Sequence, residues 1–253
     1  MNKHADNTNI HVPNFTESVH ELDHEFNDIE IIKVAKSLKN NKCCGDDGVL
    51  NEYIKSTIDI FLPLYKLLFN HILLTGDIPE SWVVGNIITI YKNKGDKSLT
   101  ENYRGISLLS CFGKFFTSLI NVRLNSYIDP HNILLENQAG FRKGYSTTEH
   151  VFTLKCLIDL YLSKRKKLYC AFVDFRKAFD TVWRCGLWTK IISFGISGKL
   201  FDVIKNIYNN IKSCVSVNGL SSGYFGCYTG VRQGENLSPL LFSLYINDME
   251  RFF

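Results

Sequence analysis

The feature that most constrains the fold is the stretch at residues 168–183, LYCAFVDFRKAFDTVW. An apolar run over 168–173 ends on Asp174, and a helical pattern that carries Phe179 and Asp180 follows. Because the run is rich in aromatic and β-branched residues, it predicts a buried strand. An aspartate at the end of a strand is suited to holding a metal ion or to capping the next helix, and the position alone leaves both roles open.

Composition places the chain among globular proteins. Its 253 residues are 45% hydrophobic and 13% aromatic, which excludes the disordered class. The formal net charge of +4 is compatible with nucleic-acid binding without requiring it. The chain is long enough for one large domain or two small ones.

The sequence also predicts a compartment. Residues 1–10 are polar and lack the apolar core of a signal peptide, and we expect no apolar stretch of the roughly 20 residues that span a bilayer. The eight cysteines do not have zinc-site spacing, which favours reduced thiols. We therefore expect an intracellular protein, nuclear or cytoplasmic, with no membrane association.

Local signals divide the rest of the chain into elements. Residues 1–27 are polar and are predicted to be a tail or linker. Helices are predicted to begin at Asp28, to cover 51–75 with Pro63 kinking or dividing the helix, and to cover 112–127 with Lys114 and Arg123 on the outside. Further helices are predicted from Ser146 or Thr147 to about 163, over 177–193 and 198–212, and at the end of the chain. A strand is predicted over 86–92, and Asn218-Gly219 predicts a hairpin.

A second pair of aspartates offers a different polymerase site. Gly45-Asp46-Asp47 matches the turn that carries the paired aspartates of viral RNA polymerases. Such a turn needs apolar strands on both sides, whereas here NNKCC precedes it and a helical pattern follows. It also lies upstream of Asp174, which is the wrong order for that class. The flanks favour a loop leading into a helix.

Five stretches together indicate a family. In chain order they are LPLYKLLFNHILLTGDIPESW, NYRGISLLS, QAGFRKGYST, FVDFRKAFDTV and GVRQGENLSPLLFSLYIND. This set closely resembles the reverse transcriptase of non-LTR (LINE-type) retrotransposons, in particular the jockey and CR1-like groups, from about residue 28 to the end of the sequence. The resemblance implies an RNA-directed DNA polymerase that uses an RNA template, a DNA primer and deoxynucleoside triphosphates. It gives no indication of a protein partner.

The resemblance implies a role for each motif residue. Nucleotidyl transfer uses two Mg²⁺ ions held by carboxylates. Asp174 matches the first catalytic aspartate, and the backbone carbonyl of Phe175 would join the metal shell. Phe179 matches the bulky residue that excludes a ribose 2′-hydroxyl, with core packing as its alternative role. Asp180 belongs to the motif, but helix capping or a buried hydrogen bond explains it better than catalysis.

Three further stretches are expected to contact substrate. Arg104 matches the arginine that grips the incoming triphosphate. Gln233 and Gly234 match the Gln-Gly turn beside the nascent base pair, where glycine permits close backbone approach. Arg142 and Lys143 would meet the template backbone, with a solvated turn as the alternative.

The chain also departs from the family pattern. Glu235 stands where many relatives have aspartate and Gly105 where they have proline, and neither change is expected to remove function. No Tyr/Phe-x-Asp-Asp motif follows the final helix. We therefore expect a chain cut short before that motif, with the thumb absent, that is inactive as a polymerase by itself.

These expectations combine into one architecture. The predicted class is α+β (α/β in the broad sense): the fingers of a right-hand polymerase over 28–165, mostly helical, and a partial palm over 166–253. The palm is expected to hold an antiparallel sheet with the Asp174 strand at its centre. An alternative function is that of a non-catalytic nucleic-acid-binding remnant of such an element.

Overall fold

A computed structural model describes residues 18–252. In this part of the chain the helices are α1 (His20–Asp23), α2 (Asp28–Ser37), α3 (Asn51–Thr75), α4 (Glu80–Val83), α5 (Cys111–Ile128), α6 (Thr147–Ser163), α7 (Arg184–Ser193), α8 (Lys199–Asn209) and α9 (Ser238–Ile246). The strands are β1 (Val84–Tyr91), β2 (Tyr103–Leu109), β3 (Lys212–Val217), β4 (Leu220–Ser221) and β5 (Phe225–Gly226). Short 3₁₀ turns cover Thr100–Asn102 and Met249–Phe252. The mixture of helices and one sheet confirms the α+β class.

The sheet has mixed strand directions. Its order is β2-β1-β3-β4, and β5 also pairs with β3. Strands β1 and β2 are antiparallel, whereas β1 and β3 are parallel. The parallel pair joins β1, from the range predicted as fingers, to β3, whereas both strand pairings within 166–253 are antiparallel, as predicted for that range. Helices α5 to α8 lie between β2 and β3 in the chain, and a parallel pair needs a long connection of this kind.

The predicted strand over 168–173 is not part of this sheet. Residues 166–175 have no regular hydrogen-bonded structure, and Tyr169 and Phe172 are each 85% exposed. A strand forms only where a neighbour pairs with its backbone groups, and no described segment does so here. The central position predicted for the Asp174 strand is thus also wrong.

Several predicted element ends are confirmed. Gly76 ends α3 in the left-handed conformation, at φ +76°, and Ser146 with Glu149 forms the capping box of α6. Asn218-Gly219 connects β3 to β4. Helix α2 begins where expected, but its cap is Asn27, which exchanges side-chain hydrogen bonds with Glu30.

Helix α3 is continuous across Pro63, so the proline does not divide it. The proline lies on the exposed side, where water can satisfy the carbonyl that loses its partner. Contrary to expectation, this helix is also long and apolar enough to cross a membrane. Its inner face is nevertheless built into the core of this domain, through Ile54, Phe69 and Ile72 among others.

An aromatic cluster joins α3 to α5. The Phe69 ring lies 5.1 Å from Phe115 and 5.3 Å from Phe116, measured between centroids, and Trp82 packs 5.6 Å from Phe116. Contacts of this kind between aromatic rings add to the free energy gained by burying them. The cluster fixes α3, α4 and α5 beside the start of β1.

Arg123 of α5 is buried, although the sequence predicted an outer residue. Its guanidinium donates to the carbonyls of Leu22 and His24 and to the Glu30 carboxylate. Of the tail predicted over 1–27, residues 1–17 lie outside the described residues. The remaining part carries α1, and Leu22 is fully buried. Arg123 thus ties this segment to the body.

Candidate nucleotide-binding site

The residue expected to bind metal lies on the surface. Asp174 is exposed, within the segment 166–175 that has no ladder partners. Nearby Val173 is 58% exposed and Phe175 44% exposed. The first half of the FVDFRKAFD motif is therefore held by few contacts.

The second half of the motif is fixed by packing. Residues 176–181 form turns, and the Phe179 ring stacks on Phe242 of α9 with centroids 5.1 Å apart. Phe141 meets the other side of Phe179 edge-on at 5.9 Å, and Phe175 meets Phe242 at 6.2 Å. The aromatic packing that was the alternative role of Phe179 is therefore present.

Two backbone hydrogen bonds join this turn to the segment that precedes the Gln-Gly turn. Gly230 N donates to Val182 O at 2.9 Å, and Val231 N donates to Phe179 O at 2.8 Å. Gly230 has φ +79°, and a Cβ atom there would lie 2.7 Å from the Phe179 carbonyl oxygen. Only glycine permits this approach. The bonds bring together two motifs that are far apart in the sequence.

Side chains reinforce the junction. Gln233 Nε2 donates to Asp180 Oδ1 at 3.1 Å, and this hydrogen bond is exposed, not buried as expected for Asp180. A cavity of about 270 Å³ opens between the two turns. It is lined by Ala178, Phe179, Arg232, Gln233, Gly234, Glu235, Ser238 and Pro239. The structure thus gathers Phe179, Gln233 and Gly234 around one space.

The Gln-Gly turn is docked on the edge of the sheet. Ser107 N of β2 donates to Gln233 O at 3.1 Å. Gly234 has φ +106°, and a Cβ atom there would lie 2.8 Å from the Ser107 carbonyl oxygen. Glycine is therefore needed at this position for close approach to β2, a reason different from the expected approach to a base pair, which stays a prediction.

A buried polar network lies beneath the turn. Arg232 and Glu235 form an ion pair with Nε–Oε2 and Nη2–Oε1 distances of 3.4 Å, and both side chains are almost fully buried. The Tyr208 hydroxyl donates to Glu235 Oε2 at 3.0 Å and lies 3.0 Å from Ser238 Oγ. Burial together with the Glu235 carboxylate raises the pKa of Tyr208 well above its ordinary value, so the hydroxyl stays protonated.

A second arginine completes this support. Arg184 donates to the backbone carbonyls of Gly230, Tyr208 and Thr229. Burial lowers the pKa of its guanidinium from the ordinary arginine value, without changing its charge near neutral pH. Arg184 therefore fixes the segment that leads into the Gln-Gly turn.

The sequence analysis missed Arg232, Tyr208 and Arg184. One signal was available for Tyr208: it lies four residues after Ile204 on the apolar stripe of α8, and a tyrosine buried there needs a hydrogen-bond partner. The identity of that partner, Glu235, depends on tertiary structure.

The predicted phosphate-binding residues lie apart from this cavity. Arg104 is exposed on β2, paired with Ile90 across the ladder. Its neighbours Gly105 and Ser107 line a second, larger cavity of about 740 Å³ that Gln233 also borders. Since side chains alternate along a strand, Arg104 lies on the opposite face of the sheet from Gly105 and Ser107.

The two cations in the basic turn of the QAGFRKGYST motif have different surroundings. Arg142 donates to the carbonyls of Leu135 and Gln138, and its guanidinium lies 4.2 Å from the centroid of the Tyr145 ring. Lys143 is exposed. Arg142 thus has a structural task in its own loop, whereas Lys143 projects into solvent.

The described residues do not make a complete metal site. Within 18–252, no group of three or more histidine, cysteine, aspartate or glutamate side chains is placed to hold an ion. Asp174 and the Phe175 carbonyl alone do not fit two Mg²⁺ ions, each of which needs near-octahedral oxygen coordination. The Asp46-Asp47 pair lies in a turn, as its flanks predicted.

Comparison with known proteins places the chain in a family. A family model described as "Reverse transcriptase (RNA-dependent DNA polymerase)" matches residues 90–253. The chain is 34% identical over 223 residues to the "Probable RNA-directed DNA polymerase from transposon BS" of Drosophila melanogaster, covering 87% of this chain and 24% of that protein. It is 33% identical to the corresponding protein of transposon X-element from the same species, covering 88% of this chain and 25% of that protein.

A third relative comes from another fly. The "RNA-directed DNA polymerase from mobile element jockey" of Drosophila funebris is 31% identical over 220 residues, covering 87% of this chain and 24% of that protein. The chain thus spans about a quarter of the length of these relatives. The motifs, their order and these matches agree: the chain belongs to the reverse transcriptase family, as a domain of the non-LTR retrotransposon type.

Proposed function

We propose that the 270 Å³ cavity between the Phe179 turn and the Gln-Gly turn receives the incoming deoxynucleotide of an RNA-directed DNA polymerase. The observation that carries the proposal is the pair of backbone bonds from residues 230 and 231 to residues 182 and 179. They fix the spacing of the two motifs without any ligand. Binding energy then need not be spent on ordering the site.

The roles follow from the contacts. The Phe179 ring, stacked on Phe242, presents a fixed apolar surface that excludes a 2′-hydroxyl but accepts deoxyribose. One N–H of Gln233 donates to Asp180, which leaves its Oε1 atom to accept from a base or sugar and its second N–H to donate. Gly234 allows the backbone to approach the base pair.

We assign contacts with nucleotide and template phosphates to the cations around the site. Arg104 is proposed to bind the triphosphate, which requires β2 and its hairpin partner β1 to lean toward the cavity. Lys143 and the remaining donors of Arg142 are proposed to meet the template backbone. In this division, residues 28–165 act as fingers and residues 166–253 as palm.

Catalysis needs more than the described residues supply. Reverse transcriptases generally use divalent metal ions, which in this chemistry activate the primer hydroxyl and neutralise phosphate charge. Asp174 and the Phe175 carbonyl are proposed as part of the metal shell. The additional carboxylates must come from elsewhere in the polymerase.

The proposal is tested by ternary-complex binding. A fluorescent RNA template annealed to a dideoxy-terminated DNA primer is titrated with the chain, with Mg²⁺ and either the next complementary dNTP or its ribonucleotide. We expect the dNTP to tighten duplex binding more than the ribonucleotide does. Phe179→Ala should remove that difference, and Phe172→Ala, which removes an exposed ring from the same motif, should leave it intact.

Two results would contradict the proposal. Tightening that does not depend on complementarity to the template would place the nucleotide elsewhere. Equal effects of Phe179→Ala and Phe172→Ala would show that aromatic content, and not the cavity, decides the discrimination.

A second candidate function is nucleic-acid binding without catalysis. The exposed position of Asp174 and the lack of a carboxylate cluster among residues 18–252 favour it for this chain. Primer extension separates the candidates. Salt-sensitive duplex binding with no extension by this chain, together with extension by a longer polymerase of the same element, would assign binding to this portion and catalysis to the whole.

A further inference from the structure

The outer side of α3 is apolar and uncovered. Five large side chains on it, which we name the α3 outer stripe, have exposed fractions of 56–75%: Tyr53, Ile60, Leu64, Leu67 and Leu74. The opposite side of the same helix is buried in the core. A long helix that is apolar on both sides is expected to bury both of them.

The stripe has the spacing of a helix-packing seam. Successive members are separated by seven, four, three and seven residues. Thr57 and His71 occupy the two intervening positions of the same 4-3 repeat. This repeat keeps side chains along one line facing a partner helix. At about 1.5 Å per residue, α3 offers a straight surface of roughly 37 Å.

Charge argues against phosphate or lipid as the occupant. Lys55 Nζ donates to Leu38 O and to Asn40 Oδ1, and Lys66 is paired with Asp28 at 2.8 Å. A helix that binds an anionic membrane or a nucleic acid needs free cations beside its apolar or contact face. The stripe instead suits an apolar, uncharged protein surface.

Its area matches a dimer interface. A large side chain presents roughly 200 Å² when fully exposed, so the five members offer about 650 Å². Phe61 of the same helix, which is 44% exposed, extends the surface to about 740 Å². Standard interfaces bury about 600–1,000 Å² on each partner. The stripe therefore lies within the range that a twofold interface between two copies requires.

We propose that the α3 outer stripe packs against the same stripe of a second copy of this chain. A twofold axis makes one patch complementary to itself and closes the assembly at two copies. The two helices run antiparallel, which opposes their dipoles. Leu64 lies at the middle of the stripe and therefore meets its own counterpart, while Tyr53 approaches Leu74 of the other copy.

The first test is sedimentation velocity of the whole chain over about 1–100 µM. We expect a monomer–dimer equilibrium that the double variant Leu64→Glu, Leu67→Glu weakens at least about 100-fold, because each dimer then holds four carboxylates in an apolar interface. The matched control is Val151→Glu, Phe152→Glu on α6, whose residues are 67% and 69% exposed. It adds the same charge to an equally exposed apolar surface and should leave the dimer intact.

Any of three results overturns the proposal: a wild-type chain that stays monomeric, dimers that survive the α3 double variant, or equal losses in the two double variants, which would indicate general adhesion. Circular dichroism melting of both variants checks that the fold persists.

A cross-link tests the arrangement. In a chain whose three exposed cysteines, Cys43, Cys156 and Cys170, are replaced by serine, Leu64→Cys should form a disulfide-linked dimer under mild oxidation. Val151→Cys in the same background should not. No cross-link through Leu64→Cys would overturn the antiparallel pairing.

Discussion

The Gln-Gly turn and the Asp174 segment are two halves of one expected site, and they are held in opposite ways. The Gln-Gly turn rests on a buried ion pair, a tyrosine hydroxyl and a backbone bond to β2. The Asp174 segment has neither ladder partners nor buried side chains. The half proposed to position a nucleotide is therefore preformed, whereas the half proposed to bind metal depends on additional contacts.

Limited proteolysis should show the largest difference. Trypsin sites lie on both sides of Asp174, at Arg165, Lys167 and Arg176, in exposed chain. Local opening there costs almost nothing, whereas cleavage at buried Arg184 or Arg232 requires much of the fold to open. We expect the exposed sites to be cut at least about 100-fold faster, corresponding to roughly 3 kcal/mol. Mass spectrometry of early time points identifies the cuts. A first cut within 229–237 would show that the Gln-Gly turn opens more easily than the Asp174 segment, contrary to the expectation.

Glu235→Ala should destabilise the fold strongly. The variant leaves the Arg232 guanidinium buried without its carboxylate and removes the partner of the Tyr208 hydroxyl. Breaking a buried pair in this way costs about 3–5 kcal/mol. Urea unfolding followed by tryptophan fluorescence measures the loss. Asp174→Asn is the matched control, and we expect a change within about 0.5 kcal/mol because its side chain is exposed.

Gly230→Ala should break the junction between the two halves. Its methyl group would lie 2.7 Å from the carbonyl oxygens of Asp180 and Phe179, so the backbone bonds there must lengthen. We expect a loss of about 2 kcal/mol in urea unfolding. Gly219→Ala has a similar φ, +81°, with no atom within 4 Å of the new methyl group, and should cost only about 1 kcal/mol. Equal costs would mean that backbone strain, and not contact, explains the loss.

Asp248→Asn should have the smallest effect. The hydrogen bond from Lys190 lowers the pKa of the Asp248 carboxyl, so the pair stabilises the fold above the ordinary carboxyl pKa of about 3.9 and loses that effect as the pH falls through the lowered value. At pH 7 the variant should lose about 0.5 kcal/mol, and its difference from the wild type should disappear as the pH falls through the lowered pKa. Asp159→Asn, which removes an exposed pair on α6, is the control.

Local signals in the sequence were enough for much of the fold. The left-handed Gly76, the capping box of α6 and the Asn218-Gly219 turn depend on residues within a few positions of each other. The resemblance also selected Phe179, Gln233 and Gly234, which the structure brings together, although their contact with a nucleotide stays a prediction.

Other features depended on contacts distant in the sequence. The apolar run before Asp174 has the composition of a strand, but a strand also needs a partner. Arg123 follows a helical pattern that places it outside, yet residues about 100 positions away supply the carbonyls that bury it. The parallel pairing of β1 with β3 and the Tyr208–Glu235 bond likewise join segments that no local pattern relates.

The two backbone hydrogen bonds between the motifs also bear on how such a site evolves. Main-chain atoms set the distance between the Phe179 and Gln233 positions, so a new side chain at either place alters the cavity without moving the other wall. Substitutions can then accumulate one at a time, each with its own effect on which sugar or base the proposed site accepts. Gly230 is the exception, because any side chain there separates the walls. Within this junction, variation in substrate preference is expected to follow Phe179, and loss of the site to follow Gly230.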